Sequence, residues 1–153
     1  MKTAIVGYPR IGAHRELKFA SEQYFRGACT EAELQETAKS LRLANLTQQK
    51  ESGLDWIPSN DFSFYDGMLD TAFLLNAVPK RYRELGLAPL DTYFAAARGY
   101  QGDKGDVKAL AMKKWFNTNY HYMVPELEDD TVICLADEKP FHLYQEAKAA
   151  GVE

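Results

Sequence analysis

The chain has 153 residues, 46% of them apolar and 26% charged, with a formal net charge of −4. That length fits one domain with a sizeable core, and the composition is ordinary for a globular protein. The acidic balance disfavours non-specific nucleic-acid binding, and no apolar run reaches membrane-spanning length.

The charge is unevenly spread. Residues 1–27 hold Lys2, Arg10, Arg15, Lys18 and Arg26 against Glu16 and Glu22, a balance of +3; the remainder carries −7, which restores the total of −4. A basic patch on an acidic chain suits a small anionic ligand better than a nucleic acid. Cys29 and Cys134 have no metal-ligand spacing, so a reduced, cytoplasmic setting is the expectation. The opening residues read as a strand and not as a targeting segment.

In chain order, Thr3 to Val6 is a short apolar strand that runs into Gly7-Tyr8-Pro9-Arg10-Ile11-Gly12. Gly7 and Gly12 permit unusual backbone angles and Pro9 stiffens the turn. A first helix is expected from Ala13 or His14 to Gly27, with Leu17, Ala20 and Tyr24 on one stripe and Phe19 off it. Arg15 and Lys18 are three apart and neighbour each other on this helix. Thr30-Glu31-Ala32-Glu33 is a capping box. It opens a helix with Leu34, Ala38, Leu41, Ala44 and Gln48 on one face, closed by Gly53.

Leu54 to Ile57 reads as a strand stopped by Pro58, with Ser59-Asn60-Asp61 at its C-terminal end, where parallel α/β folds build sites. A helix from Phe64 to Leu75 follows, with Asp66 as its cap and Met68, Leu69, Ala72 and Phe73 inward. Lys80 to Leu87 reads as helical, and Asp91 as the cap of a helix carrying Tyr93, Phe94 and Ala97. Gly99 to Asp106 reads as a mobile loop, lacking the marks of a phosphate-binding one. Met112 to Phe116 is read as a strand, Asn117 to Tyr122 as a loop at a site, Thr131 to Leu135 as a strand, and Lys139 to Ala150 as a helix. Strands separated by helices argue for parallel α/β packing.

Arg10, Arg15 and Lys18 place three cations within nine residues where a helix exposes its first N–H groups. That combination suits an anionic ligand; an ordinary turn with surface cations is the alternative. His121, between Tyr120 and Tyr122, reads as a hydrogen-bonded structural histidine, with proton handling as the other reading. Trp56 and Trp115 read as core residues, and His14 as exposed.

Gly7-Tyr8-Pro9-Arg10-Ile11-Gly12 followed by Arg15-Glu16-Leu17-Lys18 resembles the opening of the cobalamin-independent methionine synthase family. Four later segments resemble the same family in the same order: Ile57 to Asp66, Asp91 to Gly99, Lys114 to Tyr122, and Val124-Pro125-Glu126. One departure is Ser59-Asn60-Asp61-Phe62, where the family often has Val-Gly-Asp-Phe. The resemblance implies two eight-stranded β/α barrels joined face to face. Residues 1–153 would be the first, incomplete part of the N-terminal TIM-type (β/α)8 barrel, with open strand edges.

The family moves a methyl group from 5-methyltetrahydrofolate polyglutamate to homocysteine. A zinc ion in the C-terminal barrel activates the thiol. The resemblance therefore implies no catalytic residue, zinc site or other bound cofactor in this chain, and homocysteine binding only in the parent enzyme. It assigns the folate polyglutamate tail to Arg15, Glu16, Leu17, Lys18 and Lys114. Electrostatics favour Arg15, Lys18 and Lys114 among these, because Arg and Lys grip carboxylates. The implied partners are the folate and the enzyme's own C-terminal barrel, with no nucleic acid or membrane. The competing reading is a stand-alone anion-binding or assembly module that kept the fold and lost the chemistry.

Overall fold

In the computed structural model, which describes residues 1–152, the first residues lie beside the segment that follows the second helix. A parallel bridge joins Ala4 to Trp56, and the Trp56 amide donates to the Thr3 carbonyl at 3.1 Å. Asp55 reinforces it, its Oδ2 accepting from the Thr3 amide at 2.7 Å and the Thr3 hydroxyl at 3.0 Å. The strands expected at Thr3–Val6 and Leu54–Ile57 are reduced to this one bridge. Neither has a further neighbour among the described residues to extend the ladder, and Ile5, Val6 and Trp56 are exposed, Trp56 against the expectation of a core residue.

The chain forms two units, Met1–Phe64 with the segment from Lys139 onward, and Tyr65–Glu138. The first is built on α1 (Glu16–Phe25), α2 (Glu31–Glu51) and α6 (Lys139–Ala149). α2 begins with the capping box as expected. Thr30 Oγ1 accepts from the Glu33 amide, and Glu33 Oε2 accepts from the Thr30 amide at 2.7 Å, which holds the Glu33 carboxyl below its ordinary range. Gly53 follows the C-terminal end of α2 with φ 77°.

The buried stripe of α2 starts at Leu34 and Ala38 as expected, but continues through Leu46 and Gln49; Ala44 and Gln48 are exposed. α6 packs Leu143 and Ala147 in the same unit. It is tied to α2 by a two-pronged ion pair, Arg42 Nε to Glu146 Oε1 at 2.7 Å and Arg42 Nη2 to Glu146 Oε2 at 2.9 Å.

The second unit holds α3 (Gly67–Leu74), α4 (Lys80–Arg83), α5 (Pro89–Arg98) and four short strands. Asp66 caps α3 as expected, its Oδ1 accepting from the Met68 and Leu69 amides. α5 is capped differently. Ala88 is its N-cap, Pro89 stands in the first turn, and Asp91 lies inside that turn, where a carboxylate favours the helix dipole. Its residues Tyr93 to Ala97 are all buried. Tyr93 donates to Asp70 Oδ1 at 2.7 Å and accepts from the Tyr65 amide; burial, with Asp70 alongside, pushes its phenol well above the ordinary range.

The strands differ from expectation. Gly99–Asp106 is largely a hairpin, β1 (Tyr100–Gly102) pairing antiparallel with β2 (Gly105–Val107). Gly99 at φ 81° makes the return possible, since a Cβ there would press on the Val107 carbonyl oxygen at 2.9 Å. β3 (Met112–Lys114) pairs antiparallel with β4 (His121–Met123), so the expected loop from Asn117 to Tyr122 is partly strand. Thr131–Leu135 forms no strand. Its neighbour is the end of α3, where Leu75 and Leu74 carbonyls accept from Cys134 and Ala136, and Val132, Ile133 and Leu135 stay exposed. The architecture is mixed α/β with two two-stranded antiparallel sheets and no closed barrel among the described residues.

Candidate functional site

The loop from Gly7 to Arg15 is fixed from below by the first unit. Asp61 Oδ2 accepts from the Tyr8 amide at 2.7 Å. The Phe64 carbonyl accepts from Arg10 Nη1 at 3.2 Å, and the Pro9 carbonyl from Asn45 Nδ2 of α2 at 3.2 Å. Asp61 thus orients the loop. The roles of Arg10 and Asn45 were missed. Asn45 left a signal, because Asn is a poor interior helix residue unless its side chain has a partner.

The loop becomes a helix through two left-handed residues, Gly12 at φ 86° and Arg15 at φ 65°. The Arg15 amide donates to the Gly12 carbonyl at 3.2 Å, and the Leu17 amide to the Ile11 carbonyl at 3.1 Å. Arg15 is therefore the N-cap and not a helical residue, which corrects the expected start at Ala13 or His14 and the shared helical face with Lys18.

Glu16 folds back over the loop. Its Oε2 accepts from the His14 amide at 3.0 Å, and a Cβ on Gly12 would overlap that same oxygen. Leu17 is 1% exposed and belongs to the core, where its burial is worth about 1.5–3 kcal/mol. Of the motif Arg15-Glu16-Leu17-Lys18, then, two members hold the turn and two present charge. Lys18 forms an exposed pair with Glu22 at 3.5 Å and lies over the Phe19 ring. Arg15 is exposed, and its side chain makes no hydrogen bond or ion pair among the described residues.

Lys114 lies in the second unit, exposed on β3 opposite His121. Around it is an aromatic turn, with Trp115 and Tyr122 rings 4.6 Å apart. Trp115, read as core, is exposed, and His121 is exposed with no side-chain hydrogen bond among the described residues. Among those residues no three His, Cys, Asp or Glu side chains converge to hold a metal ion, and no helix is long and apolar enough to cross a membrane.

Fold and loop together define a mixed α/β segment that opens on a rigid cationic turn. The sequence places it further: residues 2–153 match the family model described as cobalamin-independent synthase, N-terminal domain, and the chain belongs to that family. It is 58% identical over 153 residues to a 5-methyltetrahydropteroyltriglutamate–homocysteine methyltransferase of Campylobacter jejuni subsp. doylei. It is 57% identical over 152 residues to the protein of that name from Streptococcus suis, and 57% over 153 residues to the one from Lactococcus lactis subsp. cremoris. These matches cover 99–100% of this chain and 20% of each relative, so the chain spans about a fifth of their length.

Proposed function

We propose that the chain is the N-terminal, folate-tail-binding portion of a cytoplasmic methyltransferase that converts homocysteine to methionine with 5-methyltetrahydropteroyl-polyglutamate. In that reaction the N5–methyl bond breaks, a bond from the methyl carbon to the homocysteine sulfur forms, the thiol gives up its proton, and N5 takes up one. This chain contributes no reacting group; zinc and homocysteine belong to the enzyme's C-terminal barrel. Its own part is to hold the anionic tail. In the same proposal the chain is the first part of a TIM-type barrel, a reading supported by the parallel Ala4–Trp56 bridge with α1 and α2 between its two sides.

The observation that carries the proposal is Arg15, an exposed guanidinium without a partner among the described residues, on a backbone fixed in the left-handed region. A guanidinium donates two parallel hydrogen bonds to one carboxylate, and with the backbone already fixed only the side chain's own rotamers remain to be ordered. Lys18 adds a second charge, and its exposed pairing with Glu22 is weak enough for a carboxylate to displace. Glu16 and Leu17 act as positioning residues. Lys114 enters by resemblance and by its exposed charge.

The test is made in the complete enzyme. Arg15→Ala or Lys114→Ala should weaken a polyglutamylated folate about tenfold, the scale of a charged hydrogen bond discounted for solvent. A monoglutamate folate should be affected less, and homocysteine not at all. Equal weakening of long-tailed and short-tailed folates would show that these residues do not read the tail.

A further inference from the structure

Among the described residues, Gln49 Oε1 is the one buried side-chain polar atom without a hydrogen-bond partner. Gln49 itself is 2% exposed, and its Nε2 donates to the Asn45 carbonyl at 3.1 Å. That bond fixes which end of the amide is which and leaves Oε1 as an acceptor with nothing to accept. Gln49 lines a small cavity of about 20 Å³ in the first unit, together with Tyr8, Asn45, Ser59, Asp61 and Glu146.

We infer that this cavity is a binding site for a single ordered water molecule held by Gln49. Three features identify the occupant. The volume is that of one water, which needs roughly 10–15 Å³ of such space. Gln49 Oε1 requires a donor, which excludes chloride and other simple anions. The lining is polar enough to meet a water's need for two to four partners. Ser59 makes no hydrogen bond among the described residues, and Asp61 spends Oδ2 on the Tyr8 amide while sharing the wall. Arg42, also on the wall, directs Nε and Nη2 to Glu146 and donates nothing to Oε1. The water would join α2 to the segment beneath the Gly7–Arg15 loop, where direct side-chain bonds leave a gap. The site is independent of the folate reading.

A crystal structure of this protein at a resolution that shows ordered solvent tests the site. A single density peak at ordinary hydrogen-bond distance from Gln49 Oε1 is expected. In solution, the Gln49 side-chain NH2 should show cross-relaxation with a slowly exchanging water. Gln49→Met, of similar volume and without the acceptor, should abolish the peak. An empty cavity, a protein donor on Oε1, or a peak retained in Gln49→Met would each overturn the inference. So would a peak bound by five or more oxygens at shorter distances, the signature of a cation. If Gln49→Met does not fold, the map and the cross-relaxation of the unaltered protein decide alone.

Discussion

One oxygen of Asp61 holds the amide of Tyr8 at 2.7 Å across 53 positions of sequence. Through that bond the cationic turn is referenced to the segment that follows α2. Asp61→Ala should therefore loosen the turn. We expect a loss of about 1–3 kcal/mol, the cost of leaving a partly buried donor unpaired, with faster hydrogen exchange at Tyr8. Asp61→Asn, which keeps an acceptor oxygen, should lose less. Unchanged Tyr8 exchange in Asp61→Ala would remove Asp61 from this role.

Gly12 offers a way to disturb the proposed tail site without deleting a charge. Its φ of 86° and the overlap of any Cβ with Glu16 Oε2 make Gly12→Ala strained twice over. We expect about 1–3 kcal/mol of destabilisation and reduced affinity for a long-tailed folate in the complete enzyme. Glu16→Ala should release the His14 amide, which exchange would report directly. If Gly12→Ala binds the long tail as well as the unaltered protein, the turn is not what positions Arg15.

Asp55 makes the bridge sensitive to acid. Hydrogen bonds from the Thr3 amide and hydroxyl hold its carboxyl below the usual value of 3.8. A depressed carboxyl stabilises the fold fully above its unfolded pKa, and that contribution falls away as pH drops through the lower folded value. Protection of the Thr3 and Trp56 amides should therefore be independent of pH in the neutral range and decline below about 3.8, the ordinary Asp value. In Asp55→Asn that acid-dependent step should vanish. A Thr3 amide that loses protection near neutrality would contradict this.

In the second unit, Asp66 serves two elements at once. Its Oδ1 caps α3, and its Oδ2 accepts from the Met123 amide of β4 at 3.1 Å. Asp66→Ala should cost about 2–3 kcal/mol, combining a lost N-cap with an unpaired amide. Asp66→Asn should recover only part, because an Asn that keeps the cap turns its NH2 toward the Met123 N–H. Denaturant titration of the three proteins checks the order. An Asn variant as stable as the original would mean that the β4 bond contributes nothing.

What the sequence disclosed was governed by local chemistry. The Thr30 capping box, the Asp66 cap and the helix carrying Tyr93, Phe94 and Ala97 each depend on residues a few positions apart, and each forms, the last with Ala88 and not Asp91 as its N-cap. Strand pairing does not follow such rules. Gly102-Asp103-Lys104-Gly105 looked like a flexible run, yet two residues between facing glycines suffice to turn a hairpin. Thr131–Leu135 has β-branched, apolar residues, but propensity builds no strand without an edge to join. In the candidate site, the charged pair Arg15 and Lys18 was visible from residue type. The inward fold of Glu16 was not, because it depends on the left-handed backbone at Gly12 and Arg15, and an arginine rarely announces that conformation.

The ion pair between Arg42 and Glu146 spans 104 positions, and the whole of the second unit lies between its members. During synthesis, residues 65–138 leave the ribosome as one continuous stretch and can collapse as soon as they emerge. α2 is made earlier, yet its α6 partner follows only afterwards. The first unit therefore cannot close until the second has been made, and until then the α2 face that α6 will cover stands open to whatever nascent-chain factors attend it.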